Sequence, residues 1–197
     1  MGRRSRLALW VPLPLVVALS CSADEGGLGR PEVKTGPVAA LTFAFENGGD
    51  EDIYVDWPKP LPRFVIRRDG TELMTERDCV PFCTDGCACS ACAKPQARVR
   101  RIAVGETLQV SWEPLHFAVN SCNGSASCTC VESWPVTAGR YELSLAGFTG
   151  AAGGQTDPDD PAVLVGAEPT SESRSCSAVG VFDLAGGAVV HAKFSCL

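Results

Sequence analysis

Histidine, methionine and positive charge are all scarce in this 197-residue chain, and each shortage removes a class of chemistry. Its two histidines, His116 and His191, lie far apart in sequence. No H-E-x-x-H pattern and no G-x-S-x-G elbow occur, so the common zinc-hydrolase and serine-hydrolase arrangements are missing. Met74 is the single methionine after Met1, which excludes capture of copper by clustered thioethers. No window repeats apolar residues at i, i+3, i+4 and i+7, so amphipathic helices are not expected. The apolar run from Leu7 to Leu19 is 13 residues long and holds Pro12 and Pro14. A spanning helix needs about 20 apolar residues, so this run is too short to stay in a bilayer as one.

What the first residues do carry is the order of a secretory signal. Arg3, Arg4 and Arg6 precede the apolar run, and Ala18-Leu19-Ser20 places small side chains just before Cys21. Leu15 to Cys21 resembles the lipobox of bacterial lipoproteins, with Ala18 and Leu19 departing from its preferred leading residues and Ser20 a permitted one. The resemblance implies a signal peptide over 1–20 and diacylglycerol on the Cys21 sulfur, with acylation (palmitate among the chains) of the new amino terminus. Such multiple acylation exceeds the two signals that stable anchoring requires. It implies a location in the cell envelope, and in the outer membrane where the cell has two membranes. Residues 21–38 (SADEGGLGRPEVKTGP after Cys21 and before Val38) are polar and rich in Gly and Pro, as in a flexible tether. Residues 39–197 form the expected cysteine-rich domain.

Loss of Arg3, Arg4 and Arg6 leaves 14 basic against 23 acidic residues, a net charge of −9. That balance argues against nucleic acid or anionic lipid surfaces as general partners, and beside the membrane anchor a protein partner is the remaining possibility. Eleven cysteines in an exported chain point to disulfides, and lipidation of Cys21 leaves an even ten. Cys79, Cys83, Cys87, Cys89 and Cys92 form one cluster, and Cys122, Cys128 and Cys130 a second. The alternatives are a thiolate metal site, disfavoured by an oxidising compartment, and a redox C-x-x-C at Cys89–Cys92, which would usually sit at a strand-to-helix junction of an α/β fold. No catalytic residue, cofactor or metal ligand is assigned.

From Ala40 onward the apolar residues recur with a period of two. Leu41, Phe43 and Phe45 are followed by a turn at Asn47–Asp50, then by Ile53, Val55 and Trp57, then by Phe64 and Ile66 before Asp69-Gly70. Val99, Ile102 and Val104 are less regular, whereas Leu108, Val110 and Trp112, and Tyr141, Leu143 and Leu145, alternate cleanly. Alternation bounded by turn residues predicts an all-β, antiparallel sandwich stapled by disulfides. The blocks IAVGETLQVSW (102–112) and AGRYELSL resemble late strands of small bacterial immunoglobulin-like domains, among them the intracellular proteinase inhibitors of bacilli. The resemblance implies an immunoglobulin-like architecture. Trp57–Pro62 reads as a stiff crossing between strands.

The last 22 residues predict a hairpin with a definite register. If Ala185-Gly186-Gly187 is the turn and Leu184 opposes Ala188, paired residue numbers sum to 372, and Cys176 faces Cys196. An opposed non-hydrogen-bonded pair brings Cα atoms to about 4.5 Å, within disulfide range. Removing that pair leaves five and three cysteines in the two clusters, so at least one bridge must join them.

Two charged groups remain. Asp50-Glu51-Asp52 and Asp157-Pro158-Asp159-Asp160 could bind calcium, but the second lacks the central Gly of an EF-hand loop and has Pro161 at a ligand position, so both are read as solvated acidic turns. Lys94, Arg98, Arg100 and Arg101 form a basic patch able to meet an anion. The expectation from the sequence is a non-enzymatic, membrane-anchored interaction or structural module. A tethered proteinase inhibitor with a disulfide-held loop, and a metal-capturing Cys-rich protein, are the alternatives.

Overall fold

Alternating side chains place one face of each strand in water and the other against a core, and the domain is assembled from that repeat. The computed structural model describes residues 39–58, 61–75, 80–89, 96–122, 125–184 and 189–197. The expected signal, Cys21 and the tether therefore lie outside the described residues, as do Cys79, Cys92, Lys94 and the turn at 185–187. Thirteen strands occur among the described residues: β1 (Leu41–Glu46), β2 (Ile53–Asp56), β3 (Phe64–Arg68), β4 (Thr71–Leu73), β5 (Arg98–Ile102), β6 (Thr107–Trp112), β7 (Leu115–Cys122), β8 (Ser125–Pro135), β9 (Arg140–Thr149), β10 (Ala151–Asp157), β11 (Asp160–Pro169), β12 (Ser175–Asp183) and β13 (Val189–Cys196). The fold is all-β.

Eleven strands form one continuous hydrogen-bonded sheet in the order β10-β11-β5-β2-β9-β12-β13-β1-β6, with β3 also on β9 and β4 on β3. Its inward face closes over a single core, as in a β-sandwich. Phe43 on β1 lies centrally, its ring 5.4 Å from Phe64, 5.6 Å from Trp112 and 5.6 Å from Phe182. Three other strands meet one side chain there, so Phe43 sits at the centre of the core. Strand β12 is the clearest case of the sequence rule, with buried and exposed residues alternating over its whole length.

The long strand β9 is the hub. Its first half pairs with β3 and its second half with β2, while β12 runs along its other edge. The Trp57–Pro62 connector thus carries the chain between two strands that succeed one another along the same edge; residues 59–60 of it lie outside the described residues. Gly147 sits where β2 and β12 both crowd β9. A Cβ there would meet the Ile53 side chain at 2.9 Å and the Tyr54 carbonyl at 3.0 Å. At the start of β9, the buried Tyr141 hydroxyl donates to the Thr137 carbonyl at 2.5 Å, a bond that ties the strand to the corner before it. That device recurs in Greek-key sandwiches. The β3–β4 turn has Asp69 at φ 51° and Gly70 at φ 78°, the two left-handed residues of a type I′ hairpin.

Two expectations need correction. The sheet is not wholly antiparallel, because β1 runs parallel to β13, Thr42 opposite Val189 and Glu46 opposite Lys193. Val104 is no strand residue: it is 52% exposed and sits in the tight turn before Glu106. The turn at Asn47 is held by its own amide, which donates to the carbonyls of Glu51 and Ile102 at 2.9 Å each.

In the C-terminal hairpin, Cys176 opposes Cys196, Ser177 opposes Ser195 and Ala178 opposes Phe194, so the numbers sum to 372. Cys176 and Cys196 form a disulfide with Cα atoms 4.0 Å apart.

Candidate functional site: a disulfide-held arm

Two long excursions leave the sandwich, one between β4 and β5 and one between β6 and β9, and they are fastened to each other. The second excursion is a hairpin of its own, β7 against β8, with Leu115 opposite Pro135 and Asn120 opposite Cys130. Period-two geometry puts Cys128 and Cys130 on one face of β8, and Cys122 joins them because it shares a face with Asn120. Residues 80–89 run along the edge of β8 away from β7 and fold their cysteines over that face. Backbone bonds hold the cover in place: Cys83 N–H donates to the Val131 carbonyl at 3.0 Å, and Val131 N–H to the Pro81 carbonyl at 2.9 Å. Ala88 and Thr129 exchange a reciprocal pair at 2.9 and 2.8 Å.

Three disulfides lock the same contact: Cys83–Cys130, Cys87–Cys122 and Cys89–Cys128. Every cysteine of the second cluster is therefore bonded into the first, where the sequence required only one such link. The other two cysteines of the first cluster, Cys79 and Cys92, lie outside the described residues. Val131, on the face of β8 opposite Cys130, is fully buried, and the rings of Phe82 and Phe117 approach to 6.3 Å. Among the described residues little else in the arm is buried apart from Cys122 and Cys130, so covalent links replace a core here.

The outward surface of the arm is small and polar. Thr84, Asp85 and Gly86 form an exposed turn between two bridged cysteines, and Asp85 N–H donates to the Phe82 carbonyl at 2.8 Å. Val119 projects from β7 at 50% exposure. Asp85 and Glu132 are the acidic side chains among the arm's described residues, which include no lysine or arginine. His116, half-buried and opposite Trp134, has its pKa lowered by loss of solvent around the ring. His191 is exposed on β13, on the far side of the sheet from the core, so the two imidazoles lie on separate elements.

The charged motifs find each other rather than a ligand. Asp157 and Asp160, in the β10–β11 turn, pair with Arg98 and Arg100 on β5. Asp157 is buried at 2% exposure, and Arg100 also covers the Trp57 ring at 4.9 Å. Asp157 and Asp160 further accept from Asp159 N–H and Ala162 N–H. Arg101 faces Asp52, and Arg174 faces Asp50 and Glu51. The acidic segments thus meet basic partners within the fold: Asp157 and Asp160 face Arg98 and Arg100, and Asp50–Asp52 face Arg101 and Arg174. Among the described residues no group of three or more His, Cys, Asp or Glu side chains is placed to hold a metal ion. Eight of the cysteines are in disulfides and so lack the thiolate that soft metals require. No family model matches this chain, and neither the curated proteins nor the solved structures contain a match.

Proposed function

We propose that this chain is an exported, lipid-anchored envelope protein whose sandwich presents the disulfide-held arm to a protein partner, without catalysis. The observation that carries the reading is the triple bridging of 80–89 onto β7–β8. A segment with almost no core is held in one conformation, which lowers the ordering cost of binding. A nearly uncharged surface of Thr, Ser, Gly and Val suits a protein contact and not a nucleic acid. The immunoglobulin-like reading of the sandwich rests on the Tyr141 corner and the paired layers around Phe43. Anchoring rests on the signal and Cys21, with residues 22–38 as the spacer.

A photo-cross-linking amino acid placed at Val119 on the arm, or at Val181 on β12, tests the contact surface. Both sites are similarly exposed, 50% and 53%. In the native envelope, position 119 should give a discrete adduct and position 181 none; the reverse pattern would refute the arm as the contact surface. Anchoring is tested by Cys21→Ala, which should abolish lipidation and move the protein to the soluble fraction. Unchanged partitioning would refute it.

The same rigidity favours a second reading, a tethered proteinase inhibitor with 80–89 as its reactive loop. Against it stands the backbone of that segment, already bonded to β8 at Cys83 and Ala88. Stoichiometric inhibition in a panel of serine and cysteine proteases would establish it.

A further inference from the structure

We propose that the arm is a thiol–disulfide switch: a small dithiol or a dithiol-bearing exchange protein opens it while the sandwich stays folded. Only the functional consequence rests on the contact-surface reading above; the separability itself does not.

Access differs between the bridges. Cys87 and Cys89 are exposed, and each is joined to a more buried sulfur, Cys122 at 4% exposure and half-buried Cys128. Cys83 is half-buried and joined to Cys130 at 5%. In the sandwich, Cys176 is 4% exposed and packed within the main core, and its partner Cys196 is half-buried against that core. Exchange requires a thiolate to reach a sulfur along the S–S axis, so Cys87 and Cys89 are the points of entry.

The reaction balances without an outside oxidant. The reductant's thiolate attacks the Cys87 or Cys89 sulfur, a mixed disulfide forms, and Cys122 or Cys128 leaves as a thiolate that takes up a proton. The second thiol of the reductant then attacks the mixed disulfide. It closes the reductant's own disulfide and frees Cys87 or Cys89 as a thiol. Two electrons and two protons pass to the protein for each bridge.

Opening has different consequences in the two regions. Once its bridges open, residues 80–89 are held to the edge of β8 by the four backbone bonds described and a little apolar contact, so the segment lifts from the cysteine face of β7–β8. Opening Cys176–Cys196 leaves β12 and β13 paired, flanked by β9 and β1, and packed on the core. Loss of order is thus confined to the surface offered for binding.

The test uses the full chain in graded dithiothreitol under native conditions. Aliquots are quenched with an alkylating reagent and mapped by mass spectrometry, with hydrogen exchange measured in parallel. Cys87, Cys89, Cys122 and Cys128 should label at least about tenfold faster than Cys176 and Cys196. Exchange should rise in 80–89, β7 and β8 while β1 and β9 keep their protection. Labelling of Cys176 and Cys196 at an equal or greater rate, or simultaneous loss of protection in β1 and β9, overturns the proposal. A Cys176→Ser, Cys196→Ser variant should show unchanged arm kinetics; altered kinetics would show that the two regions are coupled and also overturn it. Neither readout involves a partner, so failure here is distinct from failure of the cross-linking experiment.

Discussion

The sandwich and the arm order their chains by opposite means. In the sandwich, rings and branched aliphatics from nine strands share one core, and a single disulfide is added at the hairpin end. In the arm, three disulfides serve a segment whose fully buried apolar side chain is Val131. Hydrophobic burial is cooperative and non-directional, so it suits a region that must fold as one body. Cross-links restrict the unfolded chain and need no interior, so they suit a surface that must remain exposed and yet stay in one shape.

Substitutions can sharpen or break that contrast. The largest effect should come from Phe43→Ala, which empties the point where four other rings converge. The expected cost is about 3–5 kcal/mol, seen as a melting midpoint lower by roughly 10 °C. A loss below about 1 kcal/mol would mean that the core is not the sandwich's main support. Next is the double change Cys176→Ser with Cys196→Ser. The bridge closes a loop across a sequence separation of 20, for which chain entropy gives about 3 kcal/mol. The midpoint in urea should fall while near-ultraviolet circular dichroism of the native state is retained. A molten spectrum would show that this bridge, like those of the arm, substitutes for packing.

Smaller still is Tyr141→Phe, which removes the hydroxyl bonded to the Thr137 carbonyl and leaves the ring stacked on Phe182. A loss of about 1 kcal/mol is expected in chemical denaturation. The smallest effect concerns His116. Partial burial lowers its folded-state pKa beneath 6.5, so the unfolded chain binds its proton first as pH falls. The neutral-histidine contribution is complete above 6.5 and is lost as pH falls through that value towards the lowered pKa. Arm protection should decline over that window in hydrogen exchange, and His116→Gln should flatten the response. An unchanged slope in the variant would remove His116 as its cause.

Much of the sandwich was legible because its strands are written in single residues. Leu41, Phe43 and Phe45, and the pattern across β12, carry burial directly, and the Asp69-Gly70 pair announces its turn. The register of the last hairpin was readable because two strands and a disulfide ask for the same sum. The arm and the β10–β11 hairpin were not legible as strands. Strand β8 alternates Ser, Cys and Thr, and β10 begins Ala-Ala-Gly-Gly, so neither displays an apolar face. Their order comes from partners distant in sequence, which no local pattern reports. Connectivity was bounded by parity alone, since pairing depends on which face of β7–β8 the first cluster covers. The ion pairs show a third kind of loss. Arg98 and Arg100 alternate on a strand, and Asp157 and Asp160 flank a turn, yet each group invites a ligand when read separately. A stripe of one charge and a turn of the other were the available signal that they answer each other across the fold.

The parallel pairing of β1 with β13 sets how the domain would bear a pull. Thr42 lies beside Val189 and Glu46 beside Lys193, so both strands point the same way. Tension applied through residue 39 and residue 197 therefore drags the two strands past one another along their length. All the hydrogen bonds of the ladder share such a load, whereas strands peeled apart from one end would release them singly. The antiparallel β1–β6 pairing adds a second line of bonds on the opposite edge of β1. Drawn by its ends, the domain is clamped by its first strand, and single-molecule stretching would register that clamp as one high-force event.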